Sequence, residues 1–150
     1  MIRIGRIKAA VAAVTVIGAT AAAMLVPASP AVAFSSGGLV LDVVVQSPAQ
    51  LIAKGAAVAV PVDYTCFDAF NATVEVSVTQ HVGTGIASGG GSLNNTTCNG
   101  EIQTATIDIP ASPGGKAFTK GVAFAAANFF GCSSSLCGQE SDNRTISINR

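Results

Sequence analysis

Two long stretches of alternating apolar and polar residues, separated by a turn, constrain the fold more than any other part of the chain. Both lie between Ala56 and Val82. Successive side chains of an extended strand point to opposite faces. The apolar face of the first stretch consists of Val58, Val60, Val62, Tyr64 and Cys66, and that of the second consists of Val74, Val76 and Val78. We therefore predict two antiparallel strands, each with one buried and one solvated face, joined by a turn over Cys66–Asn71.

The first 33 residues have the order of features found in a secretory signal peptide. Basic residues come first, an uncharged Ala/Val-rich run follows from Ala9 to Val26, and residues 31–33 read Ala-Val-Ala, a small-x-small cleavage site. We predict cleavage between Ala33 and Phe34, which leaves one domain over residues 34–150. A retained membrane anchor is the alternative, because the run approaches the length that spans a bilayer. Its weak hydrophobicity favours cleavage.

Removal of the signal peptide makes the chain mildly acidic. Five basic residues then face eight acidic ones, a net charge of −3. Nucleic-acid binding needs clustered Lys and Arg side chains that displace counterions from phosphates, and here the cations are few and scattered. The composition therefore excludes a nucleic-acid partner, and we expect a secreted, extracellular protein without a membrane contact after cleavage.

Four cysteines in an exported chain predict two disulfides. Cys132 and Cys137 are separated by four residues, which suits a short ring within one loop and leaves Cys66 to pair with Cys98. The rival is a Cys66–Cys132 bridge, which would join two strands across a sandwich. A zinc site is disfavoured, because paired C-x-x-C spacing is absent and the compartment is oxidising.

Shorter alternating segments predict further strands. They are Leu39–Val45, Glu101–Ile109 with Ala105, Ile107 and Ile109 inward, a strand that ends near Asn128, and Thr145–Asn149 with Ile146 and Ile148 inward. The even-numbered apolar residues of the strand that ends near Asn128 are expected to share one face, namely Phe118, Val122, Phe124 and Ala126. We expect Phe118 and Phe124 to fill the core.

The segments between these strands contain turn-forming residues and no helical period. Gly83–Ser92 is predicted to form a hairpin with a flexible, short outer strand, and Gly131–Asn143 a long polar loop around the last two cysteines. Short strands at near-regular spacing indicate an all-β fold. The predicted fold class is an antiparallel immunoglobulin-like β-sandwich of about seven strands, after an N-terminal signal helix.

Candidate catalytic groups are sparse. His81 is the one imidazole of the chain, and alternation places it on the solvated face of its strand. A nucleophile, a base and an orienting acid must lie within hydrogen-bond reach of each other for hydrolysis, and no spacing in the sequence indicates such a set. We therefore predict a protein that is not an enzyme, with no catalytic residue, no metal site and no cofactor.

Four phenylalanines are candidate contacts with a ligand or a partner. Phe67 and Phe70 lie in a predicted turn, where apolar rings are unusual. Phe129 and Phe130 are adjacent and cannot both point inward from a regular strand, so one of them is available for contact. The expected partner is an unidentified protein or a small apolar ligand.

Two segments near the C-terminus resemble the end of the neocarzinostatin-type apoproteins. These are Cys132-x-x-x-x-Cys137 and the final strand Thr-Ile-Ser-Ile-Asn at 145–149. The resemblance covers roughly the last twenty residues. That family consists of immunoglobulin-like actinomycete proteins that sequester an enediyne chromophore. The resemblance implies a similar sandwich and, as one alternative, a carrier of an apolar small molecule in a cleft.

A broader pattern is similar to secreted immunoglobulin-like domains of actinobacteria with unknown function. It comprises a valine strand ending in Cys66, a Val-x-Val-x-Val strand, the turn Cys98-Asn99-Gly100, and Phe-Thr-Lys-Gly at 118–121. This resemblance implies a fold and a compartment but no activity. The function that we expect is therefore a secreted, non-enzymatic domain for surface recognition or an extracellular structural role.

Overall fold

The computed structural model describes residues 38–150, so the predicted signal peptide and its cleavage site lie outside the described residues. Strands make up most of this part of the chain. They are β1 (Val40–Val45), β2 (Ala49–Ile52), β3 (Ala57–Phe67), β4 (Phe70–Val82), β5 (Gly85–Asn94), β6 (Gln103–Pro110), β7 (Gly121–Cys132) and β8 (Cys137–Asn149). A single 3₁₀ turn, Ala53–Gly55, interrupts the described strands.

The strands form two packed layers. One layer has the antiparallel order β8-β7-β4-β5, and in the other β3 lies between β6 and β1. At one margin β2 pairs antiparallel with β3 and parallel with β8. At the other margin, a bridge between Gly89 and Ala111 connects β5 to the end of β6. The structure confirms the predicted all-β sandwich of mainly antiparallel strands, with eight strands rather than about seven.

The core lies between the layers and follows the predicted faces of β3 and β4. Val58, Val60 and Val62 are fully buried, and Cys66 is 1% exposed. The three inward valines of β4 are at most 2% exposed. The two strands are longer than predicted, because the turn between them contains only Asp68 and Ala69.

The predicted inward face of β7 is wrong. Its buried residues are Ala123, Ala125, Ala127 and Phe129. Val122 and Phe124 point outward with exposed fractions of 69% and 51%, whereas Phe118 is buried in the segment before β7. Pairing with β4 explains the orientation, because Ala125, Ala127 and Phe129 lie directly opposite the three inward valines of β4, and directly paired residues share a face.

The predicted polar loop over Gly131–Asn143 is also wrong. β7 continues to Cys132, β8 begins at Cys137, and these residues pair directly. Only the four residues between them form the loop. The first half of β8 lies at the margin of the sandwich and is largely exposed on both faces, so its polar composition resembles that of a loop. Ile146 and Ile148 are buried as predicted.

The glycine-rich strand β5 has ten residues and is not the short outer strand that we predicted. It pairs with β4 along its whole length. A Cβ atom on Gly89 would lie 2.1 Å from the Pro110 carbonyl oxygen, and one on Gly91 would lie 2.7 Å from that of Asp108. Glycine therefore permits β5 to approach the backbone of β6, where any side chain would collide.

Both disulfides have the local pairing. Cys66 is bonded to Cys98 and Cys132 to Cys137, and free cysteines are absent from the described part of the chain. In the loop-entropy model the longer ring, which spans a separation of 32 residues, stabilises the fold by about 3–4 kcal/mol. Formed disulfides are consistent with an extracellular protein. Within residues 38–150, no helix is long and apolar enough to cross a membrane.

Candidate functional site: the outer face of the four-stranded layer

The outward side chains of the β8-β7-β4-β5 layer form a broad surface that we call the ladder face. It consists of Ile86, Ser88, Gly90, Ser92 and Asn94 from β5, Thr73, Glu75, Ser77, Thr79 and His81 from β4, Val122, Phe124, Ala126, Asn128 and Phe130 from β7, and Gln139, Ser141, Asn143, Thr145 and Ser147 from β8. Most of these residues are exposed. The face combines small polar groups with two aromatic rings.

Strand register arranges these residues in rows across the layer. One row reads Gln139, Phe130, Thr73, Asn94, and the next reads Ser141, Asn128, Glu75, Ser92. Directly opposite residues in a sheet have their Cβ atoms about 4.5–5.5 Å apart. The rows therefore bring amides, hydroxyls, one carboxylate and one phenyl ring within reach of a single ligand.

Hydrogen bonds within the face orient its amides. Gln139 donates from Nε2 to Asn128 Oδ1 at 3.2 Å. Thr73 Oγ1 lies 3.3 Å from Asn94 Oδ1, and Asn94 Nδ2 donates to Ser92 Oγ at 3.5 Å. Among the described residues these bonds leave the Asn128 N–H groups and the Glu75 carboxylate available to a bound molecule.

Two adjoining depressions lie on the ladder face and share Glu75 and Asn128 in their lining. The first, of about 470 Å³, lies where Gly90 has no side chain to fill the surface. The second, of about 540 Å³, is bounded by Phe130 and Gln139. The second depression therefore has one phenyl ring in a lining that is otherwise polar.

The structure separates the four candidate phenylalanines. Phe129 is fully buried and packs edge-to-face on Tyr64, with ring centroids 5.6 Å apart. Phe130 is 48% exposed, so it is the member of the adjacent pair that can contact a ligand. Phe70 pairs with Cys132 at the disulfide end of the ladder face, whereas Phe67 ends β3 in the other layer. Both are about half exposed.

Sequence reasoning missed the polar part of the face. The signal was present in the last strand, where every second residue from 139 to 147 is polar and uncharged: Gln139, Ser141, Asn143, Thr145 and Ser147. That alternation is typical of a strand with a solvated face. It was obscured because the intervening residues of the first half are also polar.

Groups for metal binding or proton transfer are not concentrated on this face. Across residues 38–150 no three His, Cys, Asp or Glu side chains are grouped to hold a metal ion. His81 lies exposed near the end of β4. Ser77 is four residues away on the same strand, a distance of about 13 Å, which is beyond hydrogen-bond reach.

No protein-family model matches this chain, and no curated protein sequence matches it. Among solved structures, the chain is similar to AggA, the major subunit of aggregative adherence fimbriae type I from Escherichia coli. The TM-score is 0.39 at 11% sequence identity, and the alignment covers 76% of this chain and 96% of AggA.

Proposed function

We propose that this chain is a secreted, non-enzymatic binding domain that recognises extracellular material through the ladder face. The observation that carries the proposal is the position of Phe130. Its half-exposed ring lies on a central strand, beside a depression that Asn128 and Gln139 also line. An aromatic anchor with oriented polar groups around it supplies both affinity and specificity.

The cost of leaving rings in water supports a binding role. Burying a phenylalanine side chain is worth about 1.5–3 kcal/mol, yet β7 exposes two of them, Phe124 and Phe130, while burying alanines. Both lie on β7, an inner strand of the layer, rather than on a strand at its margin. A ligand on the ladder face would cover apolar area that folding leaves uncovered.

The outer face of the other layer has a different character. Asp63, in the centre of β3, accepts hydrogen bonds from Gln46 Nε2 and Thr104 Oγ1, both at 2.7 Å. The Asp63 carboxylate at the centre of this face therefore already has hydrogen-bond donors within the fold. This contrast selects the ladder face over the opposite surface as the binding site.

The signal sequence, the two disulfides and the resemblance to secreted actinobacterial immunoglobulin-like domains all support export of the domain. The apolar-carrier alternative stays a prediction without a supporting observation, because the depressions on the ladder face are lined mainly by polar residues.

A panel of immobilised extracellular polymers tests the proposal: neutral glucans, chitin, acidic polysaccharides and surface proteins. We expect the secreted protein to bind at least one of them, and Phe130→Ala together with Asn128→Ala to abolish that binding. Thr106→Ala, an exposed position on β6 in the other layer, is the matched control and should bind as wild type does. A protein that binds none of the panel, or that binds equally well without Phe130 and Asn128, would overturn the proposal.

A further inference from the structure

We infer that the ligand of the ladder face is an extended, uncharged polysaccharide chain that lies along β7; this inference rests on the proposed function. It follows from the spacing of the exposed rings, from the charge of the face and from the distribution of apolar and polar groups across it.

The two exposed rings on β7 define an elongated site. Phe124 and Phe130 are six residues apart and point to the same side, which places them about 20 Å apart along the strand. Ala126 and Asn128 between them are smaller. A compact ligand cannot reach both rings, whereas a chain of several linked sugar rings can. The C–H groups on a sugar face suit the negative face of a phenyl ring.

The polar groups between the rings suit hydroxyl-bearing ligands. Amides and hydroxyls both donate and accept hydrogen bonds, as sugar hydroxyls do. The Glu75 carboxylate accepts only, so it requires donors, which neighbouring sugar hydroxyls provide. Asn128, opposite Glu75 on the paired strand, has N–H groups to donate in return.

The charge of the face selects an uncharged chain. Within the four described strands, Glu75 is the one formally charged residue on the ladder face. Arg144 lies on the opposite side of β8, where its Nε contacts Asp142 Oδ2 at 2.7 Å. An anionic polymer would therefore meet a carboxylate and no Lys or Arg side chain, and a polycation would find a single partner.

A second copy of this chain fits the face less well than a polysaccharide does. Protein–protein interfaces have an apolar core and a polar rim. The ladder face has the reverse arrangement, with polar residues such as Glu75 and Asn128 in the middle. Phe130 lies towards one end, and Phe124 lies towards the other with the exposed Val122 and Ile86. Such a distribution suits a narrow chain with one ring contact at each end.

Nuclear magnetic resonance titrations of the ¹⁵N-labelled secreted protein test the inference. The probes are cellohexaose, chitohexaose and xylohexaose, with the matching disaccharides and an oligogalacturonate as the anionic comparison. We expect at least one neutral hexasaccharide to shift the amide signals of β4, β5 and β7. Phe130→Ala and Phe124→Ala should each weaken that binding about tenfold, while Thr106→Ala leaves it unchanged. Of the two variants, Phe124→Ala should leave disaccharide binding unaltered.

Several results would overturn the inference and still leave the proposed function standing. These are equal affinity for the disaccharide and the hexasaccharide, tighter binding of the oligogalacturonate, or dimerisation in sedimentation experiments that Phe124→Ala abolishes. The absence of shifts with every neutral hexasaccharide would overturn it as well. The polymer panel then decides separately whether the ladder face binds anything, so failure of the ligand class and failure of the binding face are distinguishable.

Discussion

The two faces of β7 carry the opposite of what side-chain hydrophobicity predicts, because small alanines are buried and two phenylalanines are exposed. The inward face carries Ala123, Ala125 and Ala127, all nearly or fully buried, and the outward face carries Phe124 and Phe130, each about half exposed. Phe129 is the one large side chain that β7 buries. The difference teaches that strand register, rather than side-chain size, selects the buried face.

The largest expected effect concerns the one ring on the inward side. Phe129→Ala should lower the free energy of unfolding by about 3–5 kcal/mol, because it removes a fully buried ring and leaves a cavity. Urea denaturation measures the loss. Phe130→Ala on the outward side is the matched control, with an expected loss of about 1 kcal/mol, because only half of its ring is buried. Equal losses for the two variants would contradict the contrast between the faces.

Enlarging one alanine on each face of β7 tests the same contrast. Ala125→Leu should destabilise the fold by about 1–3 kcal/mol, because the core around a fully buried alanine has no room for extra carbons. Thermal unfolding followed by circular dichroism gives the shift. Ala126→Leu, the next residue and on the ladder face, should leave the midpoint nearly unchanged. A drop for Ala126→Leu as large as that for Ala125→Leu would show that both faces are packed.

A smaller effect is expected for Gln80, a polar residue of β4 whose side chain is buried. Gln80 is 3% exposed and holds the Thr119 backbone through two bonds of 2.8 Å, donating to its carbonyl oxygen and accepting from its N–H. Gln80→Leu should cost about 1–2 kcal/mol, because it leaves both backbone groups without a partner. The same substitution should speed up amide hydrogen exchange at Thr119. Unaltered exchange there would argue that the pair of bonds does not hold this segment.

The smallest effect on stability is predicted for the outward rings. Phe124→Ser should lower the free energy of unfolding by about 1 kcal/mol or less, since half of the ring is already in water. Its effect should be confined to ligand binding and to retention on hydrophobic interaction columns, which should fall. Marked destabilisation would mean that Phe124 contributes to the fold, and the ladder face would lose one of its two ring contacts.

Sequence patterns predicted the architecture where alternation was strong. The valine faces of β3 and β4, the inward isoleucines of β8 and both disulfide pairs agree with the structure. The sandwich of antiparallel strands followed from these elements. The register between strands could not be predicted, because it depends on which residues of a distant strand pair. The prediction therefore assigned the inward and outward faces of β7 the wrong way round.

The candidate site was only partly predictable for the same physical reason. Phe130 could be predicted as a candidate contact because it is adjacent to Phe129, and two adjacent strand residues point to opposite faces. That argument is local and needs no tertiary structure. Glu75, Asn128 and Gln139 belong to three different strands and come together only through the pairing of those strands. Their joint role could not be derived from the polarity of each segment taken alone.

The pairing of β2 with β8 also has a consequence for how fast the domain gains and loses its structure. Ser147 N donates to Ser47 Oγ across a separation of 100 residues, so closing this contact costs more chain entropy than closing a local one. Sandwiches dominated by such distant pairings fold in roughly milliseconds to seconds. Contacts that are absent from the folding transition state mainly slow unfolding, so we expect loss of this contact to raise the unfolding rate of the domain more than it lowers the folding rate.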